Sequence, residues 1–228
     1  MSDSAVADEQ QPKLQETSLK ITEIFYSLQG ESLSSGLPTT FIRLTGCPLR
    51  CSYCDTAYAF SGGEWMTVAT ILEQVSSFPT RYVTVTGGEP LAQSRVHGLL
   101  RALCDQDYKV SLETSGERDI SPVDPRVIRV MDLKTPGSKE VHRNRLENIG
   151  SLRGADQVKF VIGSREDYLW SLDMIRQYQL EQICPLLLSP VHGVIDPADI
   201  AKWMLEDGLV ARLQLQLHKA LWGDQPGR

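Results

Sequence analysis

The chain has 228 residues, enough for one substantial core and too few to favour two. Its 23 lysine and arginine residues against 29 aspartate and glutamate leave a net charge of −6, which argues against a surface for nucleic acid or for an anionic membrane. No apolar run approaches the roughly 20 residues that span a bilayer, and residues 1–11 are polar and acidic, unlike a signal peptide.

Residues 1–19 lack apolar periodicity and are expected to form a disordered leader, with residues 20–228 a single domain. An alternating run over 21–26 reads as the first strand. A polar turn follows, Ser27-Leu28-Gln29-Gly30-Glu31-Ser32, then a loop carrying Ser34-Ser35-Gly36-Leu37-Pro38. A second strand over 40–44 runs into Gly46-Cys47-Pro48-Leu49-Arg50-Cys51-Ser52-Tyr53-Cys54-Asp55-Thr56. Thr67 is placed to cap a helix over 68–78, with Val68, Ile71, Leu72 and Val75 on one face. A strand over 82–85 ends in Thr86-Gly87-Gly88-Glu89-Pro90, and a helix over 92–106 stacks Val96, Leu99, Leu100, Leu103 and Cys104 in one stripe. Further strands are expected over 109–113, 127–132, 158–162, 183–188 and 212–217, with helices over 165–178 and 197–207 between them.

Alternating strands and helices, with strands that are nearly continuous in apolar residues, predict an α/β fold on a parallel sheet. About seven βα-like units suit an open, partial βα barrel better than a closed eight-stranded one. The polar motifs Cys47, Gly87, Glu113, Lys134, Ser189 and His218 fall at the C-terminal strand ends, the edge where parallel α/β sheets bind ligands.

Three cysteines in the pattern C-x3-C-x2-C are a chelate for a soft metal. A structural zinc ion wants four ligands, and a closed ferredoxin cluster wants four cysteines. No fourth ligand stands at a suitable local spacing, which leaves three readings: a four-iron cluster with one iron open to a small molecule, a zinc knuckle completed by a distant histidine, or three unrelated core cysteines. The other two cysteines, Cys104 and Cys184, sit in apolar patterns and read as core residues. An oxygen-sensitive cluster implies a reducing, cytoplasmic compartment.

The cysteine motif resembles the signature of radical S-adenosylmethionine (SAM) enzymes, in which Cys47, Cys51 and Cys54 would hold a 4Fe-4S cluster and Tyr53 would pack against it. The resemblance implies that Gly88 and Glu89 of the Gly-Gly-Glu segment bind the SAM amino group, that Ser115 faces the ribose, and that Lys134 lines the same pocket. From the residues alone, Glu113 and Lys134 read equally well as a structural ion pair. The combination S-L-Q-G-E, F-I-R-L-x-G-C, C-D-T, T-G-G-E-P and Q-L-H-K resembles, over residues 21–222, the 7-carboxy-7-deazaguanine synthase family.

That resemblance implies 6-carboxy-5,6,7,8-tetrahydropterin as substrate, ring contraction and loss of ammonia on the way to queuosine and related 7-deazapurines. Leu28, Gln29, Gly30, Glu31, Arg43, Thr86 and His218 would meet the substrate, and Thr56 would bind a Mg2+ ion on its carboxylate. The competing readings are a surface ion pair for Arg43, a helix cap for Thr56 and a packed rim residue for His218. The resemblance also implies an electron donor such as flavodoxin or ferredoxin, and a homodimer. Some members end soon after the His-Lys pair, whereas residues 220–228 follow it here. Rival functions are an activase that installs a glycyl radical in a partner protein and a non-catalytic electron carrier.

Overall fold

Alternation with period two decides how this sheet is used. The structure is a computed structural model that describes residues 17–223, with 225 and 227. Its elements in chain order are β1 (Ser18–Leu28), β2 (Pro38–Leu44), β3 (Glu64–Thr67), α1 (Val68–Ser76), β4 (Tyr82–Gly87), α2 (Val96–Asp105), β5 (Lys109–Thr114), β6 (Ile128–Asp132), β7 (Gln157–Ile162), α3 (Arg165–Tyr178), β8 (Leu186–Pro190), α4 (Pro197–Asp207), β9 (Arg212–Leu213) and α5 (Leu217–Trp222). The strands form one sheet in the order β3-β1-β2-β4-β5-β6-β7-β8-β9. Seven of them, from β2 through β4 to β9, run parallel, while β1 pairs antiparallel with β2 and β3. This is the expected open α/β sheet of the partial-barrel type. The first strand starts at Ser18, inside the expected leader, and residues 1–16 lie outside the described residues.

Successive strand side chains point to opposite faces. Ile42, Leu44, Val83, Val85, Val110, Leu112, Met131, Val158, Phe160, Ile162 and Leu188 are buried in one apolar cluster with Leu99, Leu100, Leu103, Tyr168, Leu172 and Ile175 of the helices. Each such side chain contributes about 1.5–3 kcal/mol on burial. Cys104 and Cys184 belong to this cluster, as expected of core thiols. The alternate positions, among them Arg43, Thr86, Glu113, Asp132 and Lys159, line a cavity on the other face.

The helices α3 and α4 begin and end at the expected residues, and their caps show why. Ser164 accepts a hydrogen bond from the Asp167 amide, Asp196 from the Ala198 amide, and Gln179 and Gly208 close the C-termini in the left-handed region. Thr67 caps α1 by accepting from the Thr70 amide.

Three of the boundaries that differ from expectation have a visible cause. The helix expected over 92–106 starts only at Val96, because Pro90–Ala92 forms a separate 3-10 turn and Gln93 clasps the Lys20 backbone through both its side-chain atoms. The strand expected over 183–188 starts at Leu186, after the proline at 185, which has no amide to donate. The strand expected over 212–217 stops at Leu213. There the Gln214 side chain pairs with the Ser32 amide and carbonyl, both at 2.8 Å, and the chain turns into α5. His218 therefore stands on a helix rather than on the last strand. No helix among the described residues is long and apolar enough to cross a membrane.

Candidate active site

The cavity at the C-terminal strand edge has a volume of about 830 Å³. Every residue singled out from the sequence for the site lines it, except Glu89: the three cysteines, Leu28, Gln29, Gly30, Glu31, Arg43, Thr56, Thr86, Gly88, Ser115, Lys134 and His218. Glu89 is fully buried behind the wall. Its carboxylate accepts hydrogen bonds from the Leu91 amide, the Thr114 hydroxyl, and the Ser115 amide and hydroxyl. Burial pushes its carboxyl up despite these donors. Glu89 thus fastens the 114–116 segment to the glycine turn and has no free edge toward a ligand.

The cysteine loop is held by its backbone. Gly46 takes φ +99°, which favours glycine, and its carbonyl accepts the Glu89 amide at 2.8 Å. Ser52 joins the loop to the turn after β6, its amide donating to Ser138 O and its hydroxyl to Gly137 O. Asp167 anchors that turn by accepting from the Gly137 and Gly163 amides. The glycines 87 and 88 are small for a reason the sequence did not reveal. A Cβ at Gly87 would meet Leu44 O at 2.7 Å, and one at Gly88 would meet Gly46 O at 2.2 Å. Crowding by the protein's own backbone requires them.

Three thiols on one wall of a cavity suit a cluster with one iron left open. Burial pushes the Cys47 and Cys51 thiols up, while Lys134 works against that rise. A cationic iron group would complete the release of their protons. The described His, Cys, Asp and Glu residues do not converge as a group of three or more on a single-ion position. Tyr53 lines the cavity beside these cysteines, its hydroxyl pushed up to about 12 by burial.

The floor is a charged network. Gln29 Nε2 donates to Thr84 Oγ1 at 3.0 Å and to Glu113 Oε1 at 3.2 Å, and Gln29 Oε1 accepts the Glu31 amide. Its side-chain amide is thereby committed inside the protein. Thr86 Oγ1 donates to Glu113 Oε2. Burial, with Glu31 nearby, pushes the Glu113 carboxyl up. Lys134 pairs with Asp132 at 2.5 Å, so the ion pair imagined between Glu113 and Lys134 is replaced by two separate partnerships. Lys159, which the sequence reading passed over, lies 2.7 Å from Glu31 and 3.3 Å from Asp132. The signal that could have found it is the alternation Gln157-Val158-Lys159-Phe160, which puts Lys159 on the polar face.

Arg43 is held tightly at Nε and loosely at Nη1, which donates to Gly87 O at 3.5 Å. Its Nε donates to Glu23 Oε1 at 2.7 Å, and its guanidinium carbon stands 6.0 Å and 5.8 Å from the Phe25 and Tyr58 ring centres. Tyr58 Oη also donates to Glu23, completing a clamp whose other members were missed because they lie far apart in sequence. Thr56 precedes a 3-10 turn but makes no capping bond; its hydroxyl donates to Asp55 Oδ1 at 2.8 Å. The segment from 214 to 219 closes the site. Gln216 Nε2 bridges Glu31 and Asp55, Leu217 N donates to Gly30 O, and a Cβ at Gly30 would meet His218 Nδ1 at 2.1 Å. Burial pushes the His218 ring down, against the pull of Glu31 and Asp55.

The comparisons agree with this geometry. The Radical SAM superfamily model matches residues 41–196. The 7-carboxy-7-deazaguanine synthase of Chlorobaculum tepidum is 44% identical over 210 residues, covering 91% of this chain and 96% of its own. That of Koribacter versatilis is 42% identical over 219 residues, covering 90% and 97%. The crystal structure of QueE from Escherichia coli superposes with a TM-score of 0.74 at 23% identity, covering 96% of this chain and all of its own, a likeness of fold. The chain belongs to the radical SAM superfamily and, within it, to the family of the 7-carboxy-7-deazaguanine synthases.

Proposed function

We propose that the chain converts 6-carboxy-5,6,7,8-tetrahydropterin into 7-carboxy-7-deazaguanine with loss of ammonia, a step of 7-deazapurine (queuosine) biosynthesis. One observation carries this reading: the thiols and a charged, amide-rich floor share a single cavity, in a chain similar over its length to enzymes of that name. The product is the substrate less ammonia, so the conversion involves no net oxidation or reduction. When bound, the cluster and SAM would supply radical chemistry at C6 of the pterin, by a hydrogen abstraction that is later reversed so that SAM is re-formed.

The remaining work falls to the residues. Cys47, Cys51 and Cys54 hold the cluster, while Gly88, Ser115 and Lys134 face SAM. Glu89 contributes from behind, by holding Ser115. Arg43 offers Nη2 to the substrate carboxylate, with Nη1 beside it, since Glu23 already holds Nε and Gly87 O takes Nη1 only at 3.5 Å. Thr56 offers a hydroxyl oxygen to Mg2+ on that carboxylate, a donor that suits a hard cation. Leu28, Gly30, Glu31, Thr86 and His218 enclose the ring, and Gln29 acts through Glu113, which it orients. The 214–219 segment covers the substrate turn and keeps water out. The enzyme takes its electron from a small carrier such as flavodoxin or ferredoxin, and works in the cytoplasm as a homodimer of single-domain chains.

The test is anaerobic turnover by reduced enzyme without any protein partner. With SAM below the enzyme concentration, many product molecules and one ammonia per product are expected. Formation of 5′-deoxyadenosine in step with product would count against the reading.

A further inference from the structure

Sheet register places Asp132 and Lys159 side by side, as Cα partners on β6 and β7. From this pair four side chains of alternating sign run along the floor. Lys134 Nζ lies 2.5 Å from Asp132 Oδ2, Asp132 Oδ1 3.3 Å from Lys159 Nζ, and Lys159 Nζ 2.7 Å from Glu31 Oε2. No side chain of the four is more than 17% exposed, and all four line the cavity. Glu31, at one end, belongs to the substrate turn. Lys134, at the other, stands close enough to the cysteine loop to act on the Cys47 and Cys51 thiols.

We propose that Lys159 is a positioning residue for the reaction, holding Glu31 and Asp132 ionised and in place and so tying the substrate turn to the Lys134 side of the cavity. This rests on the function proposed above. Two carboxylates so far removed from water stay charged only beside a cation. Burial works to raise both, and the neighbouring lysines outweigh it, so both carboxyls sit below their ordinary range. Lys159 is faced by Glu31 from the turn after β1, Glu113 from β5, and Asp132, with Lys134 beyond it, from β6; Asp55 and His218 stand further out, beside Glu31. With a neutral side chain at 159, three buried carboxylates would share one ammonium. Glu31 would then keep only Gln216, and would take a proton or leave its place.

The experiment compares wild-type, Lys159→Met, Lys159→Arg, Glu31→Gln and the Lys159→Met/Glu31→Gln pair as anaerobically reconstituted enzymes. Iron content, kcat/KM against pH, and equilibrium binding of the carboxypterin without reductant are measured. Lys159→Met should keep its iron and lose on the order of 100-fold in kcat/KM, the cost of an ångström of misplacement. The acid limb of its pH profile should move up by about 1–3 units as the carboxyls lose their ammonium. Lys159→Arg should restore the limb. The double variant leaves no stranded charge at 31 and, with Lys134 still holding Asp132, should stay within about tenfold of Glu31→Gln in rate and binding. Lys159→Met with the wild-type limb and affinity would overturn the proposal, and so would a double variant worse than Glu31→Gln by a further 100-fold. Wild-type enzyme that holds its iron yet leaves the carboxypterin unchanged would count against the function itself.

Discussion

Gly88→Ala tests whether the glycine turn and the cysteine loop are one mechanical unit. The added Cβ would lie 2.2 Å from Gly46 O, 2.6 Å from Gly46 C and 2.8 Å from Cys47 Cβ. An ordinary carbon–oxygen contact is about 3.3–3.6 Å, so the two backbones must part by about 1 Å. Neither can move alone, since the Glu89 amide donates to Gly46 O and the Gly88 amide to Leu44 O. Overpacking of this kind costs about 1–3 kcal/mol. The fold should survive that, but Cys47 would be displaced relative to Cys51 and Cys54. Gly88→Ala is therefore expected to unfold only a few degrees earlier, to bind well under half the wild-type iron, and to lose SAM binding. Iron analysis, SAM titration and thermal unfolding measure these separately. A variant with full iron and wild-type SAM affinity would refute the argument that the glycine exists to let the two loops touch.

Replacing Cys47, Cys51 or Cys54 by alanine should each abolish iron binding, whereas Cys104→Ala and Cys184→Ala should keep the iron and lose about 1 kcal/mol of stability from the core. Arg43→Lys should raise KM steeply with kcat less affected, because a point charge cannot hold Glu23 and a substrate carboxylate together; Thr56→Val should bind iron normally and lose its response to added Mg2+. Asp156, which is fully buried and takes hydrogen bonds from Arg129 and Arg153, has its carboxyl held down by those donors against the pull of burial. Its stabilisation is thus present above the ordinary aspartate range and lost as pH falls through the lowered value. Asp156→Asn should cost about 3–5 kcal/mol at neutral pH, and thermal unfolding followed as pH falls below the ordinary aspartate range should show the gap to wild-type closing.

Much of the site was readable because its parts are local. Three cysteines in eight residues, a glycine pair at a strand end and a Gln-Gly-Glu turn announce themselves in a short window, and the parallel fold placed them on one edge. Partnerships across the sheet did not announce themselves. Glu23 and Tyr58 clamp Arg43 from 20 residues before it and 15 after it, and Gln214 grips Ser32 from 182 residues away. The antiparallel pairing of β1 and the short β3 were hard to see for the same reason, since only pairing distinguishes an edge strand of four residues from a loop. Glu89 shows the opposite error. Its place in a recognisable motif suggested contact with a ligand, while its surroundings commit it to Thr114 and Ser115.

Lys159 was hidden by the feature that made the strands easy to find. Residues 158–162 look like one apolar run with a single lysine in it, and the lysine passes as an interruption. Read with period two, the run separates into an apolar row against the helices and a second row that continues Thr84 and Thr86, Ser111 and Glu113, and Asp132 across the sheet. A closed eight-stranded barrel fills its interior with layers of branched apolar side chains. Threonine, serine, carboxylate and ammonium cannot pack that way, because each must keep a hydrogen-bonding partner. The polar row thus explains both why the sheet stays open and why the floor is charged. Its groups satisfy one another along Glu31, Lys159, Asp132 and Lys134, and the edge they leave exposed faces the space beside the cysteines.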